Sequence, residues 1–263
     1  MEEKTCPTNK EFLKTENKTP FNLRDIRFIL AVGSGKGGVG KTTISVIIAL
    51  SLRKAGYSVG IFDLDFYGPN TTLLLGLENK IPLIEFGKIK PVLTQENIKI
   101  MSLGLMVSEK EPIFMRGLMV SKLFQEFLQK IEWGPLDFLI LDLPPGTGDI
   151  FLSVIDLIPL TGFILVTTPH KLAISDAKRT ISILKEYNVP LFGVVKNMAD
   201  FFENENYFQK FLNSYNLNLL FEIPVFKELA YIENLSEIFN SLENQKFLED
   251  IANILLDKVF RIH

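Results

Sequence analysis

Cysteine is almost absent from this chain: Cys6 is the only one in 263 residues. A lone thiol excludes an intramolecular disulfide framework and any metal site built from the cysteines of one chain. Histidine is nearly as scarce. His170 and His263 stand far apart with no cysteine pair beside either, and they make no zinc or catalytic motif. Long hydrophobic runs are missing too. The longest strongly apolar stretch, ISVIIALSL at 44–52, is far too short to span a bilayer, and the N-terminal MEEKTCPTNKEF lacks the apolar core of a secretory leader. Charge of one sign is not in excess, and a net −3 leaves no electrostatic footprint for nucleic acid or a membrane surface. No G-x-S-x-G elbow or other nucleophile signature occurs. These absences predict a cytoplasmic protein without a nucleic-acid or membrane partner.

The apolar residues, 47% of the chain, suffice at this length for one large core. Residues 1–25 are polar and charge-mixed and read as a flexible arm; residues 26–263 read as one domain. From Arg27 onward, short apolar runs alternate with helical patterns. Strands are predicted at 27–32, 57–65, 98–104, 137–144, 162–169 and 191–198, and helices at 41–56, 117–133 and 171–187. Continuous apolar strands alternating with helices mean an α/β fold, a mostly parallel sheet with helices on both faces. Ligands in such folds sit beyond the carboxyl ends of the strands, where the polar clusters of this sequence fall.

The most informative stretch is VGSGKGGVGKTT, Val32 to Thr43. Residues 35–42, GKGGVGKT, fit the phosphate-loop pattern G-x-x-x-x-G-K-[ST]. Gly35, Lys36, Gly37, Gly38, Val39 and Gly40 would turn backbone N–H groups toward phosphates, with Thr43 opening the helix whose positive end faces them. Lys41 would reach the β- and γ-phosphates of ATP, and the Thr42 hydroxyl would ligate Mg²⁺. Lys36 is surplus to that cradle. A second cation near the γ-phosphate neutralises charge that develops in the transition state, as an arginine finger does.

Carboxylates end the neighbouring strands. FDLDFYGPN (62–70) carries Asp63 and Asp65, either of which can orient the attacking water or hold Mg²⁺ through water, or form a strand-end turn. LILDLPPGTGD (139–149) ends an apolar strand in Asp142, a Walker-B-like aspartate for Mg²⁺. The loop that follows, with Pro144, Pro145, Gly146 and Gly148, is stiff and then permissive, suited to sensing a γ-phosphate. Asp149 reads as the cap of the next helix. Asn197, a lone Asn at a strand end, reads as a turn residue or an adenine contact.

Together these words resemble the Mrp/ApbC family of iron–sulfur cluster carrier ATPases, within the MinD/ParA superfamily. The matching segments are GSGKGGVGKTT, DLDFYGPN, MSLG, Arg116–Gly117, EWGPLDFLILDLPPGTGD, FILVTTP and VVKNM, spread over residues 26–200 in the family's order. The K-G-G-x-G-K-[ST] pattern at 36–42 resembles the deviant phosphate-loop class, which implies a homodimer in which Lys36 reaches the partner's nucleotide. The resemblance implies catalytic roles for Lys36, Lys41, Asp65 and Asp142, magnesium at Thr42, Asp65 and Asp142, and adenine contacts at Asn197 and, from EIPVF (222–226), Pro224. An iron–sulfur client or assembly protein is the implied partner.

The sequence also departs from that family. Typical members carry C-x-x-C soon after the NM element, whereas residues 197–216 here contain no cysteine. Thiolates are the soft ligands a cluster needs, and two copies of Cys6 in a dimer give two of the usual four. This leaves cluster cargo in question and keeps a second reading open, a MinD/ParA-like positioning or scaffold ATPase that recruits a protein without metal. Segment 201–212, FFENENYFQKFL, reads as a rim helix whose phenylalanines serve either the core or a partner surface. At the C-terminus, Phe247, Ile251, Ile254, Leu255 and Val259 share one helical face, while Lys246, Lys258 and Arg261 are balanced by Glu249, Asp250 and Asp257. That balance predicts docking on the protein's own core rather than on a membrane.

Overall fold

The computed structural model describes residues 20–65, 68, 70–77, 80–102, 117–202, 205–230 and 234–262. Outside them lie Cys6 with most of the polar arm, Phe66, Tyr67 and Pro69 of the second-strand loop, Leu103 and Gly104 of MSLG, Arg116, and His263.

In chain order the elements are β1 (Ile26–Ser34), α1 (Lys41–Lys54), β2 (Val59–Asp63), the short α2 (Thr71–Leu74), β3 (Leu83–Glu85), β4 (Lys88–Lys90), β5 (Val92–Leu93), β6 (Lys99–Ser102), α3 (Gly117–Lys130), β7 (Leu136–Asp142), α4 (Asp149–Leu157), β8 (Gly162–Thr167), α5 (Lys171–Glu186), β9 (Leu191–Asn197), α6 (Glu205–Tyr215), β10 (Leu219–Ile223) and α7 (Leu242–Ile262). Eight strands form one sheet in the order β10-β9-β8-β1-β7-β2-β6-β5. Every pairing is parallel except β5 with β6. The α/β architecture expected from the alternation is therefore the one found. The short antiparallel β5 and the separate β3–β4 hairpin were not anticipated. They are too brief for a periodic pattern to register.

Alternation within β1 explains why the sheet needs covering on both faces. Phe28, Leu30 and Val32 feed one core together with α1 and α7, while Ile29 and Ala31 feed the other beneath α3, α4, α5 and α6. Each fully buried aliphatic side chain contributes about 1.5–3 kcal/mol, so strands apolar on both faces are stable only when sandwiched. α7 docks through buried Leu248, Ile251, Ala252, Leu255 and Val259, with α1 as its main helical neighbour. The apolar face read from the sequence thus meets the protein's own core. Among the described residues no helix is long and apolar enough to cross a membrane.

Two boundaries move. Leu23 is buried, and Asn22 donates to the carbonyls of Leu128 and Ile131 at the end of α3. The last residues of the stretch grouped with the arm therefore belong to the folded body. The helix expected over 201–212 begins at Glu205; its Phe208 and Phe211 are core, whereas Phe201 is 70% exposed. Apolar content makes these phenylalanines look alike, and only packing separates them.

Candidate functional site

β1 lies between β7 and β8 in the sheet, but the chain leaves it for α1 and returns to β2 on the far side of β7. Such a crossover opens a crevice at the strands' carboxyl ends. Val32 pairs with Asp142, and Asp142 pairs with Asp63, so three central strands bring their polar ends to one level. The loop 35–40 stands over that level and leads into α1.

Glycine is required where the loop turns. Gly38 and Gly40 have φ of 77° and 80°, left-handed conformations that residues with a side chain rarely adopt. At Gly40 an added Cβ would also lie 2.1 Å from the Asn197 amide nitrogen. That amide donates to the Val39 carbonyl at 2.8 Å, bracing the loop from β9. The Ser34 hydroxyl donates to the Lys36 carbonyl at 2.9 Å, shaping the loop's start. Gly35 abuts the backbone of α5, where a Cβ would come within 2.3 Å of Asp176.

A cleft of about 330 Å³ runs along the loop. Its lining includes Lys36 and every residue from Gly37 to Thr43, with Asp65, Asn70 and Pro145 opposite. The sequence-predicted loop residues from Lys36 to Thr43 and Asp65 are therefore brought together, while Gly35 packs on α5 outside the lining. Asp142 lies under the floor, Asn197 holds the loop at Val39, and Pro224 stands exposed beyond the end of β10, outside the cleft's lining.

Beneath the floor is a buried polar cluster. The Lys41 ammonium donates to Asp142 Oδ1 at 2.6 Å and lies 3.4 Å from the Thr42 hydroxyl. Ser45, four residues along α1, donates its hydroxyl to the same Oδ1 at 2.7 Å. Asp142 is 0% exposed, and its Oδ2 has no hydrogen-bond partner among the described residues. Ser45 was not anticipated; its signal was the i, i+4 spacing that puts it on the same helix face as Lys41.

The two aspartates of β2's end divide their work. Asp63 is fully buried and accepts from the Asp65 backbone N–H at 3.0 Å, from that of Thr71 at 3.3 Å and from the Ser102 hydroxyl at 3.4 Å. Burial and, next, the Asp142 charge push its carboxyl up to about 7, against the pull of the Asp65 N–H and Lys41. It therefore shapes the loop from below. Asp65 faces the cleft, and its carboxylate accepts from the Gly68 N–H at 3.1 Å.

One further expectation is corrected here. Asp149 does not cap α4: Gly148 occupies the cap with no side-chain bond, and Asp149 is the first helical residue, where a negative charge favours the helix dipole. His170 is the cap of α5, its Nδ1 accepting from the Leu172 N–H at 3.3 Å.

The residues fit Mg²⁺. The buried Asp142 Oδ2, unpartnered among the described residues, and the Thr42 hydroxyl are both hard oxygen donors, and the Lys41 ammonium contacts both residues. No group of three or more His, Cys, Asp or Glu is gathered to hold a metal among the described residues. That is compatible with Mg²⁺, which is held by one or two carboxylates together with substrate phosphates.

Comparison with known proteins finds relatives across most of the chain. The ParA model described as NUBPL iron-transfer P-loop NTPase matches residues 25–259. An iron-sulfur cluster carrier protein of Aquifex aeolicus (strain VF5) is 41% identical over 228 residues, covering 82% of this chain and 61% of its own length. One from Methanocaldococcus jannaschii is 40% identical over 200 residues, covering 75% of this chain and 69% of its own. The chain thus spans under two thirds of the Aquifex relative. A nucleotide-binding protein in complex with ADP from Archaeoglobus fulgidus superposes with a TM-score of 0.68 at 31% identity, covering 88% of this chain and 90% of that one. The MinD cell division protein of Aquifex aeolicus gives 0.65 at 21% identity over 88% and 97% of the two chains, a likeness of fold alone.

Proposed function

This chain belongs to the NUBPL iron-transfer P-loop NTPase family, and from that premise we propose that it is an ATP-hydrolysing switch acting as a cytoplasmic homodimer. The single observation that supports this reading is the joining of Lys41 to Asp142 at 2.6 Å under a glycine loop whose turns admit little but glycine.

Thr42 and Asp142, with Asp65 through water, would hold Mg²⁺, which when bound supplies neutralising charge to the β- and γ-phosphates. The loop's N–H groups and the start of α1 bind the phosphates. Lys41 exchanges its carboxylate for phosphate oxygens. Asp65, on the cleft wall, orients the attacking water for in-line displacement. Lys36, half-exposed on the loop and without an ion pair among the described residues, supplies its charge to the partner's nucleotide. Asn197 keeps the loop in register and contacts adenine, with Pro224 beside the base. The loops after β2 and β7 convert nucleotide state into dimer shape, and hydrolysis is slow because its purpose is to reset that shape.

Family membership implies iron–sulfur cargo delivered to a client or assembly protein. The cysteine-free segment 197–216 favours a second reading, a MinD/ParA-like positioning or scaffold switch that recruits a protein without metal. Anaerobic reconstitution with iron and sulfide, beside a Cys6→Ser control and an ATPase assay, separates the two. A stoichiometric cluster lost in Cys6→Ser supports the carrier. ATP turnover that is intact without a cluster and lost in Lys36→Ala supports the scaffold. Absence of ATP turnover in the wild-type protein overturns both.

A further inference from the structure

Lys41 is not free in this structure to meet a phosphate. Its ammonium sits on Asp142 Oδ1, below the loop that would hold the nucleotide. Moving it to a phosphate would take away the cation of a fully buried carboxylate, and an uncompensated buried charge strongly opposes such a move. Among the described residues, one donor would then remain. The Ser45 hydroxyl is 2.7 Å from Asp142 Oδ1 and 3.2 Å from the Lys41 carbonyl. The shorter contact goes to the charged acceptor, which marks the carboxylate as the preferred partner. Lys41 opens α1 and Ser45 lies one turn on, so helix geometry presents both to the same oxygen.

We infer that Ser45 is a positioning residue that sets how readily Lys41 leaves Asp142 for the nucleotide. This deepens the nucleotide-switch reading and rests on it. Ser45 stays on Oδ1 while Lys41 departs, so the carboxylate is never stripped of donors. With Ser45 on Oδ1, Oδ2 is left without a partner among the described residues, and it is the oxygen that would be open to a cation. Two regimes follow. Without a divalent cation, Ser45 alone carries Asp142 once Lys41 has moved. With a divalent cation, the cation's charge takes over and Ser45 matters less.

The test is equilibrium binding of ADP by calorimetry, in EDTA and in Mg²⁺, for the wild type, Ser45→Ala, Ser45→Thr, Asp142→Asn and the double variant Ser45→Ala/Asp142→Asn. In EDTA, Ser45→Ala should bind ADP about 10-fold or more weakly, the worth of a hydrogen bond to a charged group. In Mg²⁺ the deficit should shrink to about 3-fold or less, and Ser45→Thr, which keeps the hydroxyl, should restore binding. In the Asp142→Asn background, where no buried charge is left behind, Ser45→Ala should change nothing. That pair keeps the inference testable should the single Ser45→Ala variant fail to fold. A deficit equal in EDTA and Mg²⁺, or one that persists beside Asp142→Asn, overturns the role of Ser45 while leaving the nucleotide reading intact. Failure of the wild-type protein to bind ADP in Mg²⁺ overturns both.

Discussion

Two buried lysines, Lys41 and Lys196, meet carboxylates in opposite ways. Lys41 faces Asp142, whose side chain is 0% exposed, and one oxygen of that carboxylate is left without a partner among the described residues. Lys196, near the end of β9, is as deeply placed at 4% side-chain exposure. Its partners Glu205 and Glu222 are 56% and 45% exposed, and the Phe208 ring lies beneath its ammonium. Burial works against the charge of Lys196, but hydrogen bonds and attraction from the two glutamates outweigh it and hold the ammonium above its usual range. The second arrangement is a staple between β9, β10 and α6, satisfied on its own and wet on its acidic side. The first is dry and incompletely satisfied, as a site that awaits a ligand has to be. Similar lysine burial therefore signals different roles, and the exposure of the carboxylate decides between them.

The contrast breaks most visibly at Lys41. Lys41→Ala should abolish ATP turnover and lower unfolding free energy by about 3–5 kcal/mol, because Asp142 is left buried without its cation; denaturant titration beside a phosphate-release assay reads both. Lys36→Ala sharpens the comparison by removing a loop lysine that is not buried. Turnover should fall about 100-fold or more, as for a lost transition-state cation, while stability stays within about 0.5 kcal/mol. A stability loss like that of Lys41→Ala would show that membership of the loop, rather than burial, sets the cost.

Lys196→Met keeps the buried stem and frees two glutamates already in water. The expected cost is about 1 kcal/mol or less, with ATP turnover unchanged. A loss as large as at Lys41 would erase the distinction drawn here. The smallest effect belongs to Asp137, at the opposite end of β7 from Asp142. Its carboxylate accepts from the Ser58 N–H at 2.8 Å and hydroxyl at 2.7 Å, which hold it below its ordinary 3.8. A lowered carboxylate stabilises the fold above the unfolded value, and that stabilisation disappears as pH falls through the folded one. Asp137→Ala should therefore cost about 0.5 kcal/mol at neutral pH, after allowance for solvent screening. The difference from wild type should close in urea titrations below about pH 3.8.

Much of the molecule is legible in the sequence alone. The central parallel strands and their helices followed from apolar runs of fixed length, and the loop from glycine spacing. Asp142 followed from its place at the end of LILD. Less legible were features that depend on distant partners. Asp63 and Asp65 looked equivalent as strand-end acids, yet one is buried under the loop and the other lines the cleft. Ser45 carries no signal of its own in the sequence, and only β7 brings Asp142 beside it. Asp149 reads as a cap from its residue type, yet the helix already begins on it.

What the sequence by itself determined is therefore what short-range rules dictate. Strand and helix periodicity, the left-handed turns that favour glycine, and the absence of thiolates at 197–216 all act within a few residues. The tertiary structure decided which carboxylates lose water, since burial depends on strand order and on which helices cover each face. Charge in a dry place is costly, so that decision separates Asp142 from Asp65, and Lys41 from Lys196.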